Sequence, residues 1–127
     1  MIQTRRDGLF DPNTKIERVR LGYFYLEYVR EGKYVRLRNI CYNGFSYPIL
    51  FRQDKELTTI TAKPILEHDR YLTGFEVRAN AVKLKRRKKL KAVLEAILNA
   101  FAAYAHITPP KVYEVHEVAD ILLEKDK

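Results

Sequence analysis

The first part of the chain is made of short runs in which apolar and polar residues alternate, the pattern of β-strands with one buried face. Residues that favour turns separate these runs. The clearest is Asn43-Gly44, because both central residues of a tight hairpin turn adopt a positive φ. Alternation predicts strands at 16–30, 34–42, 45–52, 57–63 and 72–79. Pro48 places the third strand at a sheet edge or bulge and Pro64 ends the fourth, because proline has no N–H for the strand ladder.

The spacing of apolar residues changes after residue 80 to the period of an α-helix. One apolar stripe is formed by Leu90, Val93, Leu94, Ile97, Leu98, Phe101 and Tyr104. Pro109-Pro110 ends this helix, since proline cannot continue it. A second stripe is formed by Val112, Val115, Val118, Ala119 and Leu122, with acidic residues on the opposite side. The pattern predicts a long helix at 83–106 and a short helix at 110–124.

These elements predict a single α+β domain over residues 1–127. We expect an antiparallel β-sheet or a partly closed barrel of about five strands within 16–79, followed by one long and one short C-terminal helix. Residues 1–14 show low periodicity and are predicted to form a flexible arm. With 127 residues, 46% of them hydrophobic, the chain can bury a core without metal or disulfide support. The single cysteine, Cys41, excludes an internal disulfide and is expected to be a buried thiol.

The sequence also indicates in which cellular compartment the protein is expected. No apolar run approaches the roughly 18–20 residues that cross a bilayer, and the N-terminus has no stretch typical of a signal peptide. We therefore expect a cytoplasmic protein with no membrane partner. Few Gln, Met and Cys residues beside many Lys, Arg and Glu residues resemble the composition of thermophilic proteins.

Most of the net charge of +8 lies in one short stretch. Residues 83–91, with the sequence KLKRRKKLK, contain seven bases and no acid, and we call them the basic segment. Its bases are Lys83, Lys85, Arg86, Arg87, Lys88, Lys89 and Lys91. Cations at a helix N-terminus oppose the helix dipole, but together with free backbone N–H groups they form a phosphate site. The segment predicts binding to a polyanion, the alternative being a solvated helix face.

Aromatic residues are concentrated in the first strands and alternate with arginines. The chain has nine Tyr and six Phe, and most of them lie between Tyr23 and Phe51. Proteins that bind single-stranded nucleic acid stack bases on aromatic rings and contact phosphates with Arg and Lys. Strict alternation predicts one face that carries Arg18, Arg20, Arg36 and Arg38 together with the exposed rings of Tyr28, Tyr34 and Tyr42. About half of all the aromatic rings are expected in the core.

The basic segment and the strand aromatics together predict a non-catalytic, sequence-nonspecific nucleic-acid-binding protein. Single-stranded DNA, duplex DNA and RNA all stay open as partners, and a preference for single strands is one form of the hypothesis. The alanine-rich stretch at 96–105 predicts a homodimer, because small side chains allow two helices to approach closely. The first alternative is a structural or assembly protein of a viral or mobile-element particle or of a ribonucleoprotein.

The second alternative is a small metal-dependent nuclease, based on Asp69, Glu76 and Arg78. The seven-residue gap between the two acids leaves little room for the two strands that such sites use. The histidines His68, His106 and His116 lack ligand spacing, although His116 and Asp120 would share a helix face. We therefore predict no catalytic residue, no metal site and no cofactor.

Overall fold

The computed structural model of the protein describes residues 15–80 and 84–123. Its strands are β1 (Ile16–Leu21), β2 (Phe24–Glu31), β3 (Tyr34–Tyr42), β4 (Phe45–Gln53), β5 (Thr61–Glu67) and β6 (Tyr71–Ala79). Its helices are α1 (Arg87–Ala105) and α2 (Val112–Leu123). The predicted flexible arm at 1–14 and the predicted site residue Lys83 lie outside the described residues.

The described strands form one open sheet in the order β1-β2-β3-β4-β6-β5. Neighbouring strands are antiparallel except for β4 and β6, which run parallel. The α+β prediction is confirmed, with an open sheet in place of the barrel. Among the described residues, neither helix is long and apolar enough to cross a membrane.

The predicted first strand is in fact two strands joined by a tight turn at Gly22-Tyr23. Gly22 adopts a φ of 64°, which glycine reaches without the steric cost that a Cβ imposes. The chain reverses at this turn, so that Leu21 and Phe24 become direct cross-strand partners. Both side chains are buried. Alternation alone could not reveal the turn, because apolar residues continue on both sides of it.

The fourth predicted strand is displaced to β5 and runs through Pro64 instead of ending there. β5 is an edge strand of the sheet, so the missing N–H of the proline breaks no ladder between two neighbours. The remaining strands lie within about a residue of their predicted bounds.

Both helices pack on one face of the sheet, which we call the inner face. The α1 stripe is buried as predicted from Leu90 to Phe101, whereas Tyr104 at its end is exposed. The ring of Phe101 lies 5.1 Å, centre to centre, from both Phe24 and Phe75. The C-terminus of α2 is held by Arg30, which donates a hydrogen bond to the Leu122 carbonyl. This contact also places a positive charge at the negative end of the α2 dipole.

The long helix begins at Arg87, later than predicted, because Leu84 pairs with the sheet. Val35 and Leu84 exchange two backbone hydrogen bonds of 2.7 and 2.9 Å in an antiparallel bridge. The Leu84 side chain is completely buried. The apolar residue inside the basic segment therefore anchors it to β3, and the helix starts only after this anchor.

Candidate nucleic-acid interface

The described part of the basic segment, residues 84–91, turns from extended chain into the first turn of α1. Arg86 is the N-cap residue, with extended backbone angles and no side-chain capping bond. The first turn of α1 contains no acidic residue. The first N–H groups of a helix lack partners within the helix itself. Here they are surrounded by basic residues, which is an arrangement that attracts an anion.

The bases of this segment differ in the partners that they contact. Lys85 places its Nζ 5.6 Å from the centre of the Tyr34 ring, and Lys89 Nζ donates a hydrogen bond to Asn80 Oδ1. Arg86 and Lys88 are exposed, and within residues 15–80 and 84–123 their side chains form no ion pair or hydrogen bond. These two cations are available to an outside ligand without loss of a contact in the described protein.

The helix α2 neutralises another part of the basic segment. Arg87 donates to both carboxylate oxygens of Asp120, and its guanidinium lies 3.4 Å from Nδ1 of His116. The hydrogen bonds and charge of Arg87, with further attraction from His116 and Lys91, hold the pKa of Asp120 below its usual value. Because Arg87 already has this carboxylate, a phosphate group would have to compete for it.

The sheet face opposite the helices, which we call the outer face, is also rich in cations. The strand register places on it the charged and aromatic residues Arg18, Arg20, Tyr25, Glu27, Glu31, Tyr34, Arg36, Arg52, Lys63, Glu76 and Arg78. Cations outnumber carboxylates on this face. Cross-strand neighbours of opposite charge on one sheet face stabilise the pairing, so some of these cations serve the sheet itself.

Each carboxylate of the outer face lies close to at least one cation. Glu27 lies 3.8 Å from Arg18 and Glu31 lies 3.5 Å from Arg36. A third carboxylate has two cations: Glu76 lies 3.6 Å from Arg52 and also 3.6 Å from Lys63. The carboxylates are therefore already neutralised, and the face keeps an excess of positive charge.

Two of the three predicted stacking rings do not lie where strict alternation put them. Tyr28 is only 4% exposed on the inner face, where its hydroxyl donates to Glu17 over 3.2 Å. Tyr42 packs against Phe24 and Phe101, with ring centres 5.0 and 5.2 Å apart. The prediction that these two rings are exposed is wrong. Tyr34 does lie on the outer face and is 39% exposed.

The physical reason is that two local features shift the alternation of side chains. The turn at Gly22-Tyr23 separates β1 from β2, so Arg20 and Tyr25 share the outer face. A β-bulge then inserts one residue, Arg38, into β3 opposite the Glu27–Tyr28 step of β2. One extra residue moves every following side chain to the other face. Tyr42 is thereby turned from the predicted outer position into the core.

The four predicted strand arginines are divided by the same features. Arg18, Arg20 and Arg36 lie on the outer face, as predicted. Arg38 is half-buried at the bulge itself. Tyr25 is the aromatic residue that the sequence did not single out. It is 38% exposed on the outer face, and the guanidinium carbon of Arg18 lies 4.3 Å from its ring centre. Strict alternation puts Tyr25 on the face opposite Arg18 and Arg20, and only the turn at Gly22 places it beside them.

The basic segment and the outer face meet at the start of β3. The antiparallel bridge between Val35 and Leu84 sets Lys85 beside Tyr34, with the two buried apolar side chains directed into the core. The Lys85 ammonium over the Tyr34 ring is a cation–π contact. The cations of the helix start and those of the sheet are therefore neighbours on one surface.

The two acids of the nuclease alternative lie apart. Asp69 occupies the turn between β5 and β6, whereas Glu76 lies in β6 between two cations. In the part of the chain that the structure describes, no three His, Cys, Asp or Glu residues are grouped so that they could hold a metal ion. Asp120 of the suggested His116–Asp120 pair contacts Arg87. Comparison of the chain with protein-family models, with curated proteins and with solved structures finds no match.

Proposed function

We propose that this protein is a non-catalytic nucleic-acid-binding protein that contacts phosphates through the start of α1. The observation that carries the proposal is the pair Arg86 and Lys88, two exposed cations at an uncapped helix N-terminus without a described side-chain partner. Lys85 and Lys89 flank them and extend the positive surface. Backbone N–H groups and several cations directed to one place are the donors that phosphate oxygens require.

The basic segment opposes the stability of its own helix. Each cation at the positive end of a helix dipole costs about 0.3–1 kcal/mol at low salt, and these cations also repel one another. A bound phosphate group reverses both effects, because it is attracted by the dipole and screens the repulsion. The anchor at Leu84 holds the cations at this unfavourable position.

Binding of this kind is expected to be independent of sequence. Phosphate contacts orient a nucleic acid on a protein but contain no information about its bases. The described helix start offers Lys and Arg side chains, which release counterions when they meet phosphates. We expect DNA and RNA both to bind, with an affinity that depends strongly on salt.

The test is a salt titration of binding, followed by fluorescence anisotropy of labelled oligonucleotides. The double variant Arg86→Gln/Lys88→Gln removes the two cations without a described partner. If both contact phosphates, the slope of log affinity against log salt should decrease by about 1.8 for duplex DNA and about 1.4 for a single strand, at about 0.9 and 0.7 per contact.

The matched control is the double variant Arg70→Gln/Lys111→Gln, which also removes one arginine and one lysine. Arg70 lies beside the last turn of α1, since its carbonyl accepts a hydrogen bond from Tyr104. At 1.5 Å per residue the helix separates it from Arg86 by roughly 28 Å. Unchanged slopes for the first variant, or equal changes for both, would contradict the proposal. A particle that assembles without nucleic acid would favour the assembly protein, and cleavage dependent on Mg²⁺ would favour the nuclease.

The homodimer through α1 stays a prediction. The apolar stripe of α1 is used inside its own chain, where it packs on the inner face and against α2. Of the alanine-rich stretch, Asn99, Ala103 and Tyr104 are exposed, and Ala102 is buried. A second copy would therefore contact α1 only along this narrow exposed strip.

A further inference from the structure

We propose that the outer face of the sheet binds single-stranded nucleic acid, with an unpaired base stacked on Tyr25 and its arginine neighbour. This inference rests on the proposed function and adds to it the class of nucleic acid and the surface that selects it. It concerns a different element from the helix start, because its central residue lies in β2.

The position of Tyr25 in the sheet leaves its ring accessible. Its side chain is on the outer face, between Arg20 of β1 and Cys41 of β3 in the register, and neither helix packs on that side. The guanidinium of Arg18 lies over the ring, 4.3 Å from its centre, and the Arg18 side chain is itself 56% exposed. A tyrosine ring with a stacked guanidinium is a surface on which a base can stack.

Positive charge surrounds this ring on the outer face. Arg20 uses its Nε to hold the Gly22 carbonyl, and no described carboxylate pairs with it. Towards the other edge of the sheet, on the same outer face, Arg52 and Lys63 share one carboxylate, that of Glu76. Unpaired positive charge thus lies towards both edges of the outer face. This distribution suits the phosphate backbone of a nucleic acid bound on this face. A polyanion is the one occupant for which this charge is complementary.

The outer face is continuous with the start of α1 at Tyr34. Tyr34 is on the same face as Tyr25, and Lys85 of the basic segment lies over its ring. Tyr25 pairs with Cys41 and Glu31 pairs with Tyr34, so the two rings lie about six residues apart along the strands, roughly 20 Å at about 3.3 Å per residue. A nucleic-acid strand that follows β2 from Tyr25 to Glu31 therefore arrives at Lys85 and the start of α1.

Stacking on Tyr25 distinguishes single strands from duplexes. In a duplex both faces of each base are covered by neighbouring bases, so a ring on the protein surface has no base to stack on. Duplex DNA could still contact the cations of the face, but it would gain nothing from Tyr25. The preference for single strands should therefore depend on this ring and not on the basic segment.

The experiment uses the absence of tryptophan from the chain. Tyr25→Trp introduces a single tryptophan at the proposed stacking position, and Tyr113→Trp introduces one at an exposed position of α2 as the matched control. With oligothymidylate as the probe, we expect quenching of the tryptophan at position 25 and little change at position 113. Duplex DNA should leave both unquenched at saturation.

Binding constants give the second measurement, on variants whose fold is checked by circular dichroism. Tyr25→Leu keeps an apolar side chain but removes the ring, whereas Tyr25→Phe keeps the ring. We expect Tyr25→Leu to bind oligothymidylate about 5- to 140-fold more weakly, from about 1–3 kcal/mol of stacking at 1.4 kcal/mol per tenfold. Duplex binding should stay unchanged, and Tyr25→Phe should behave like the unmodified protein.

Two outcomes overturn the inference while the proposed function stands: equal quenching at positions 25 and 113, or an equal loss of single-strand and duplex binding in Tyr25→Leu. A peptide or lipid vesicle that quenches position 25 when oligothymidylate does not would assign the face to another partner. If the unmodified protein binds no nucleic acid at all, both proposals fail together.

Discussion

Replacing Asp120 by asparagine tests whether the contact of Arg87 with α2 prevents this arginine from binding phosphate. In the folded protein the carboxylate of Asp120 accepts from Arg87 through both oxygens, and its pKa is lowered by that contact and by Lys91. Asparagine keeps the size of the side chain and removes the charge. Arg87 then becomes available to the ligand, and we expect Asp120→Asn to bind nucleic acid more tightly than the unmodified protein.

The magnitude follows from one additional phosphate contact. One contact steepens the slope of log affinity against log salt by about 0.7 for a single strand and 0.9 for duplex DNA. Between about 50 and 200 mM salt, the ratio of the two affinities should therefore change roughly threefold, with the larger advantage of Asp120→Asn at low salt. Fluorescence anisotropy at several salt concentrations measures both affinities.

The control for this prediction is Glu117→Gln, which removes an exposed carboxylate from the same helix. Within the described residues Glu117 forms no ion pair, and it lines the cleft beside Gly22 and Pro110 without contacting Arg87. The two variants have the same net charge, so a difference between them isolates the contact with Arg87. Equal slopes for Asp120→Asn and Glu117→Gln would refute the reasoning, because only the overall charge would then matter.

Two further predictions concern stability. Phe101→Ala should lower the free energy of unfolding by about 3–5 kcal/mol in urea titrations, because the buried ring of Phe101 packs against both Phe24 and Phe75 in the core. A loss below about 1 kcal/mol would contradict this packing. Burial and the Glu17 carboxylate raise the pKa of Tyr28, so the neutral phenol stabilises the fold below about pH 10 and this contribution is lost as the pH rises through the raised pKa. Tyr28→Phe should abolish that alkaline loss in unfolding curves measured across the range, and an unchanged alkaline profile would exclude Tyr28 as its source.

The kinds of element were predictable because they depend on the spacing of neighbouring residues. The α1 stripe from Leu90 to Phe101 is buried as its period required, and Asn43-Gly44 forms the expected tight turn. The position of the basic segment at the helix start was also predictable, because Lys and Arg precede the first apolar residues of the stripe. The start of the helix itself was not, because Leu84 is held by a hydrogen-bonded partner 49 positions earlier in the chain.

The candidate site was predictable in its cations but not in its aromatic rings. Arg18, Arg20 and Arg36 were assigned to the correct face, and Tyr28 and Tyr42 were not. Side chains alternate between sheet faces with a period of two, so a single inserted residue reverses every later assignment. The turn at Gly22-Tyr23 reverses the face of Tyr28. The face of Tyr42 is reversed by an inserted residue, the bulge at Arg38. It can be recognised only against the partner strand, which the sequence does not specify.

The sequence by itself determined how much charge this protein has, that most of it lies in nine consecutive residues, and that a helix follows a β-rich region. These properties are local, because they depend only on residues that are close in the chain. The tertiary structure decided which cations remain available. Arg87 is neutralised by Asp120 on a helix 33 positions away, whereas Arg86, next to it, has no described side-chain partner. It also decided that Tyr25 lies among arginines, since cross-strand neighbours meet only when turns, bulges and core packing fix the register.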